Sequence, residues 1–294
     1  MHTRIALCLL LILPAAVRAE PIDQDAIKYI QGLQLPDGGF MPTALDPKGS
    51  DKPVASLRAT SAAIRALKYL GGELQNKEKV VKFVESCFDE RSGTFSDVPK
   101  GIPNVFVNAV GVMAAAELKM NAEKFIAPAV KYLMFAKGFE EVRIAAAGFE
   151  AANTFPKETV HRWLFDLGKL RNADGSYMKP EGNARLTGSA VAFILRVGGK
   201  LSDDDKKTSL RVMLAGQQVD GGYMKLDAKG SDLETTYRVM RAFHMLKEKP
   251  KDVAKLKELI DKCRNKDGGY GVAPGQPSSI SGCYFASIIP HWLK

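Results

Sequence analysis

The sequence predicts an all-α fold, an α/α toroid of six helical hairpins with inner and outer rings of about six helices each. Two observations carry that prediction. The first is one glycine turn that recurs along 294 residues as "LQLPDGGFMP", "DERSGTFSDVP", "RNADGSYMKP", "QQVDGGYMKL" and "RNKDGGYGVAP". Its aromatics Phe40, Phe95, Tyr177, Tyr223 and Tyr270 are 55, 82, 46 and 47 residues apart, so the long gap holds two units and the chain holds six. The second is the alternation of two kinds of helical segment around each turn.

Each unit opens on a Lys-rich amphipathic stretch, as in "DAIKYIQGL", "KEKVVKFVESC" and "VAKLKELIDKC", with apolar residues at helical spacing. Such a helix covers a surface. After the turn comes a stretch rich in small and apolar residues, as in "SLRATSAAIRALKYL", "NVFVNAVGVMAAAEL" and "LETTYRVMRAFHML". Small side chains let helices pack closely on several sides, which places these segments in the inner layer. The third unit, residues 122 to 155, keeps both helical segments and lacks the turn signature. The turn residues Gly38, Gly39, Phe40, Gly175, Tyr177, Gly221, Gly222, Tyr223, Gly268, Gly269 and Tyr270 are structural: glycine reverses the chain, Asp bonds nearby backbone N–H groups, and the aromatic wedges between helices.

Ahead of the repeats, "MHTRIALCLLLILPAAVRA" has a basic Arg4, an apolar run too short to span a bilayer, and small residues before Glu20. A signal peptide over 1–19, cleaved near Ala19, is expected, followed by a toroid domain over 20–294 in an exported protein. Removing the leader takes two arginines and no acid, so the formal charge falls from +9 to +7. Lys and Arg alternate with acids and form no basic run, which argues against nucleic acid, and no later segment is apolar for long enough to cross a membrane. Cys87, Cys263 and Cys283 remain; an odd number is not a disulfide framework, and a Cys263–Cys283 pair and buried free thiols both stay open.

The Gln-x-x-Asp-Gly-Gly-aromatic turns, each opening a loop and a small-residue helix, resemble the prenyltransferase and squalene-oxidase repeat family over nearly all the chain from Asp25 to Leu293. Within it the chain looks most like the β-subunits of type II, Rab-directed geranylgeranyltransferases. The resemblance implies a toroid with a central hydrophobic funnel, an isoprenoid or other hydrophobic ligand, a protein partner and catalytic zinc. It also implies where zinc ligands would stand. Asp232 matches the Asp position, Glu234 holds the Cys position and Gly282 the His position, so zinc is expected from the family with its ligand set incomplete, and no cofactor is expected here. Asp232 and Glu234 are read as a vestigial metal pair or as acids capping the helix that "GSDLE" begins.

On the diphosphate side Lys229 matches a family lysine, while the positions of its His, Arg and Tyr neighbours hold Leu186, Leu226 and Thr235. Arg185 and Lys225 lie one residue from two of those positions and Arg58, Arg238 and Arg241 stand on predicted inner helices; with Lys229, Arg185, Arg238 and Arg58 are the candidates for substrate binding. The acid motif of class II cyclases has as its nearest counterpart "LSDDDKK", where Ser202 and Asp205 read as a helix cap. Three functional readings follow: a toroid with an incomplete zinc triad holding an isoprenoid, lipid or hydrophobic segment in its funnel; an active prenyl-diphosphate transferase using a non-zinc divalent ion; and a non-catalytic interaction scaffold.

Overall fold

The computed structural model describes residues 23–46, 50 and 52–294; the leader expected over 1–19 lies outside the described residues. Among these, twelve α-helices alternate in two layers. The outer layer is α1 (Gln24–Gly32), α3 (Lys77–Ser86), α5 (Ala127–Leu133) after a π-helical turn at Ala122–Ile126, α7 (Lys157–Gly168), α9 (Asp203–Ala215) and α11 (Val253–Lys262). The inner layer is α2 (Leu57–Leu70), α4 (Val105–Glu117), α6 (Gly138–Ala151), α8 (Ala184–Arg196), α10 (Leu233–Leu246) and α12 (Ile280–His291). Each inner helix packs on the next, and α12 packs on α2, so the ring is closed. Ile280 seals it by donating its N–H to the Pro42 carbonyl at 2.9 Å, tying the last inner helix to the first loop.

The repeated turn does what its residues require. Gly221 sits at φ +87°, where a side chain is strained, and an added Cβ would stand 2.3 Å from the α11 backbone at Lys255 and Leu256. Asp220 accepts the Gly222 N–H at 3.0 Å and so fixes the turn from within. All five aromatics are buried. Their own N–H groups would be stranded there, and each is taken by the side chain four residues after the inner helix's N-cap: Thr60, Asn108, Thr187, Thr236 and, more weakly, Cys283 at 3.4 Å. Five inner helices start at a side-chain cap, Ser56, Asn104, Asn183, Asp232 and Ser279; α6, the helix without a preceding turn, starts at Lys137 with none. Ser202 and Asp205 form the expected cap of α9.

The three cysteines are free and buried, which closes the question of a Cys263–Cys283 bridge. Burial pushes each thiol up to about 12.

Candidate functional site

The inner helices surround a cavity of about 600 Å³. The family resemblance implies an apolar funnel; the structure places arginines in its wall. On α10, Glu234, Arg238 and Arg241 lie at four- and three-residue intervals and so share one face, as do Glu140, Arg143 and Glu150 on α6. Arg238 bridges the two helices, donating from Nη1 to both Glu140 oxygens at 2.8 and 2.9 Å and from Nη2 to Glu234 Oε1 at 2.7 Å. Arg143 reaches Glu140 at 3.1 Å and Lys225 reaches Glu234 at 3.0 Å, with Arg185 within 3.9 Å of the first acid and 3.7 Å of the second. A second cluster has Arg196 and Arg241 sharing Glu150 at 3.0 and 2.8 Å.

Arg65 completes the wall and forms no ion pair with a carboxylate among the described residues. Its Nη1 donates to the Tyr284 hydroxyl at 3.1 Å, its Nε to the Ser61 carbonyl at 3.2 Å, and its guanidinium lies 4.5 Å from the centre of the Tyr284 ring. Three glutamates thus face six arginines and Lys225; Glu117, the other acid in the wall, is engaged by Lys68 at 2.8 Å. The buried Nε atoms of Arg143, Arg185 and Arg241 have no acceptor among the described residues.

The titration of the site follows from that excess. Burial alone would raise Glu234, but Arg238 and Lys225 outweigh it and hold the carboxyl at about 2. Glu140 is likewise lowered, with Arg143 and Arg238 overcoming burial. Burial and the neighbouring Arg238 lower Arg143, as burial and Arg241 lower Arg196. Tyr237, whose hydroxyl is 3.4 Å from that of Tyr284, is made more acidic by Arg65, Arg196 and Arg241 in spite of burial.

Of the substrate-binding residues expected from sequence, Arg185 and Arg238 come together here and the other two do not. Arg58 is exposed at the start of α2 and paired with Asp97 at 2.6 Å; Lys229 is exposed on the loop before α10. Arg65, Arg143, Arg196, Tyr237 and Tyr284 went unread, although an arginine inside "AAIRALKY" or "EEVRIAAA" is a signal in itself: a charge on a helix otherwise built to be buried needs a partner or a cavity.

At the positions that the resemblance assigns to zinc ligands, each residue is otherwise engaged. Asp232 spends both oxygens on Thr235, accepting its N–H and its hydroxyl at 2.8 Å each. Glu234 is taken by three cations, and an added Cβ at Gly282 would stand 2.0 Å from the Tyr270 carbonyl oxygen. Among the described residues no group of three or more His, Cys, Asp or Glu could hold a metal ion.

Comparison with known proteins bears on the same architecture. The family described as the prenyltransferase alpha-alpha toroid domain matches residues 4–141 and 106–289. The β-subunit of a geranylgeranyl transferase type-1 from Arabidopsis thaliana is 33% identical over 158 residues, 53% of this chain and 40% of the relative, so the match spans less than half of that protein. The solved structure of a Candida albicans protein geranylgeranyltransferase-I complexed with GGPP superposes with a TM-score of 0.68 over 93% of this chain and 92% of its own, at 13% identity. A type II terpene cyclase from Scytonema, in complex with geranylgeranyl dihydroxybenzoate, gives 0.61 over 92% and 95% at 11% identity. At these identities the two structures speak for the fold alone.

Proposed function

Since the chain belongs to the prenyltransferase alpha-alpha toroid domain family, we propose that it is an exported member that holds a prenyl chain with an anionic head in its central cavity and does not use the family's zinc chemistry. The observation that carries this reading is the charge of the wall. The wall carries more cations than carboxylates, and three of its guanidinium groups keep a buried Nε without an acceptor, a cost in free energy that an anion would offset. Planar guanidiniums suit phosphate or carboxylate oxygens. Beside them, Val110, Met113, Ile144, Ala147, Phe285 and Ile288 offer an apolar surface to a chain. In the family's chemistry zinc makes the acceptor thiol a thiolate, and here the positions that would hold the metal are a cap, an ion pair and a glycine with no room. The signal-peptide layout of the first nineteen residues is the ground for export; the mature N-terminus is expected at Glu20.

The test is calorimetric titration of the purified protein with geranylgeranyl diphosphate and with the uncharged alcohol geranylgeraniol. The diphosphate is expected to bind and the alcohol to bind much more weakly. Each charge-assisted bond is worth about 1.5–3 kcal/mol, so Arg65→Gln and Arg241→Gln should each weaken diphosphate binding by roughly 10- to 150-fold. Equal affinity for both ligands would overturn the anion site, and stoichiometric zinc with prenyl transfer to a thiol peptide would overturn the zinc-free reading.

A further inference from the structure

Four of the wall arginines also face a second, much smaller space. Where α6, α8 and α10 meet, Arg143, Arg196, Arg238 and Arg241 surround a pocket of about 20 Å³ that Ser189, Ala192 and Tyr237 complete. Ser189 and Ala192 lie on α8 and take no part in the central cavity, so this pocket is set behind its wall. No carboxylate lines it among the described residues. Glu140, Glu150 and Glu234 hold these arginines from outside the pocket, and two of those acids also serve Arg185 and Lys225. Four positive charges around one space oppose folding, and the structure carries the marks of it. The side chains of Arg196 and Arg238 are only 8% and 9% exposed, and the buried Nε atoms of Arg143 and Arg241 have no acceptor among the described residues.

We propose that this pocket binds a monatomic anion, chloride at physiological salt, held by the four guanidiniums. Size and hydrogen-bond sense both select it. A water-sized particle needs about 10–15 Å³, so the pocket takes one and has no room for phosphate, sulfate or a carboxylate. A guanidinium only donates, and the Ser189 hydroxyl already gives its hydrogen to the Arg185 carbonyl at 2.7 Å. Water in that place would bring two hydrogens of its own and find no anionic acceptor for them, whereas a halide only accepts. A negative charge there also offsets the mutual repulsion of the four cations. The inference goes beyond the ligand proposed for the central cavity and does not rest on it, because the pocket lies on the other side of the wall.

The probes are sodium chloride and sodium bromide, exchanged for sodium gluconate at constant ionic strength, on the purified protein with no prenyl ligand present. The melting temperature is expected to rise and saturate with either halide, since an ion that binds only the folded form stabilises it, while gluconate is too large to enter. Ala192→Val adds bulk to the pocket without touching a charge, and Arg143→Gln removes one cation; each should raise the half-saturating halide concentration at least tenfold. In crystals grown with bromide, anomalous scattering should place one ion among the four arginines, a result that stands even if neither variant folds. A rise that gluconate reproduces, an undiminished halide response in both folded variants, or crystals without bromide in this pocket overturns the proposal. So does a tyrosinate absorbance at neutral pH that halide leaves unchanged, which would make Tyr237 the counter-ion instead.

Discussion

Gly282 donates its N–H to the Ser279 Oγ at 3.0 Å and presents its Cα to the Tyr270 carbonyl, so the position that a zinc-binding histidine would take is closed by backbone. Gly282→His is therefore expected to lower stability by overpacking, by about 1–3 kcal/mol, and to leave the protein without bound zinc; thermal unfolding and metal analysis on the same sample check both. Glu234 gives a pH signature. Its carboxyl is held at about 2 against burial by Arg238 and Lys225, below its ordinary value of 4.5, so the stabilisation it gives is complete above 4.5 and is lost as the pH falls toward 2. With a third of the side chain exposed, solvent screens part of this. Acid titration of stability should show Glu234→Gln less stable than the parent at pH 6 and converging on it near pH 2; a constant gap would mean that the residue acts by packing alone. Glu234 and Gly282 could be singled out in the sequence because they sit at countable distances from a turn. The ion-pair network around Glu234 could not, since Glu140 stands 98 residues from Arg238 and neither residue is unusual in its own helix.

Each of the five hairpins with a glycine turn hangs on one bond that helix periodicity does not advertise, from the N–H of the buried aromatic to the side chain four residues past the N-cap. Thr236→Val keeps the shape and removes the acceptor of the Tyr223 N–H, leaving a buried donor unpaired at a cost of about 1–3 kcal/mol; chemical denaturation measures it. Cys283 fills the same place in the last hairpin with a poorer acceptor, so Cys283→Thr is expected to hold or gain stability. If the thiol mattered for its reactivity, the exchange would cost more than folding. At this scale the sequence was informative: turn, loop and small-residue helix are local patterns, and the helices end close to where periodicity places them. The third unit was legible as two helices without a turn.

Closure distinguishes this molecule from an open stack of hairpins. In an open array each repeat touches only its neighbours, and a terminal repeat can be removed at the cost of one interface. Here α12 packs on both α10 and α2, and loop bonds at Ile280 and Leu233 tie the last unit to the first and to the fifth. Removing residues 250–294 would strip α11 and α12, bare the apolar faces of α2 and α10, and leave the cavity wall without Tyr284, the group that Arg65 donates to. Neither bared face carries the polar surface that an end repeat needs for solubility. The shortened chain is therefore expected to lose cooperative thermal unfolding and to elute as aggregate, whereas an open solenoid would survive as a folded five-unit array. Size-exclusion chromatography with circular dichroism separates the two outcomes. A soluble, cooperatively melting product would show that the hairpins carry their own stability and that closure serves only to form the arginine-lined cavity.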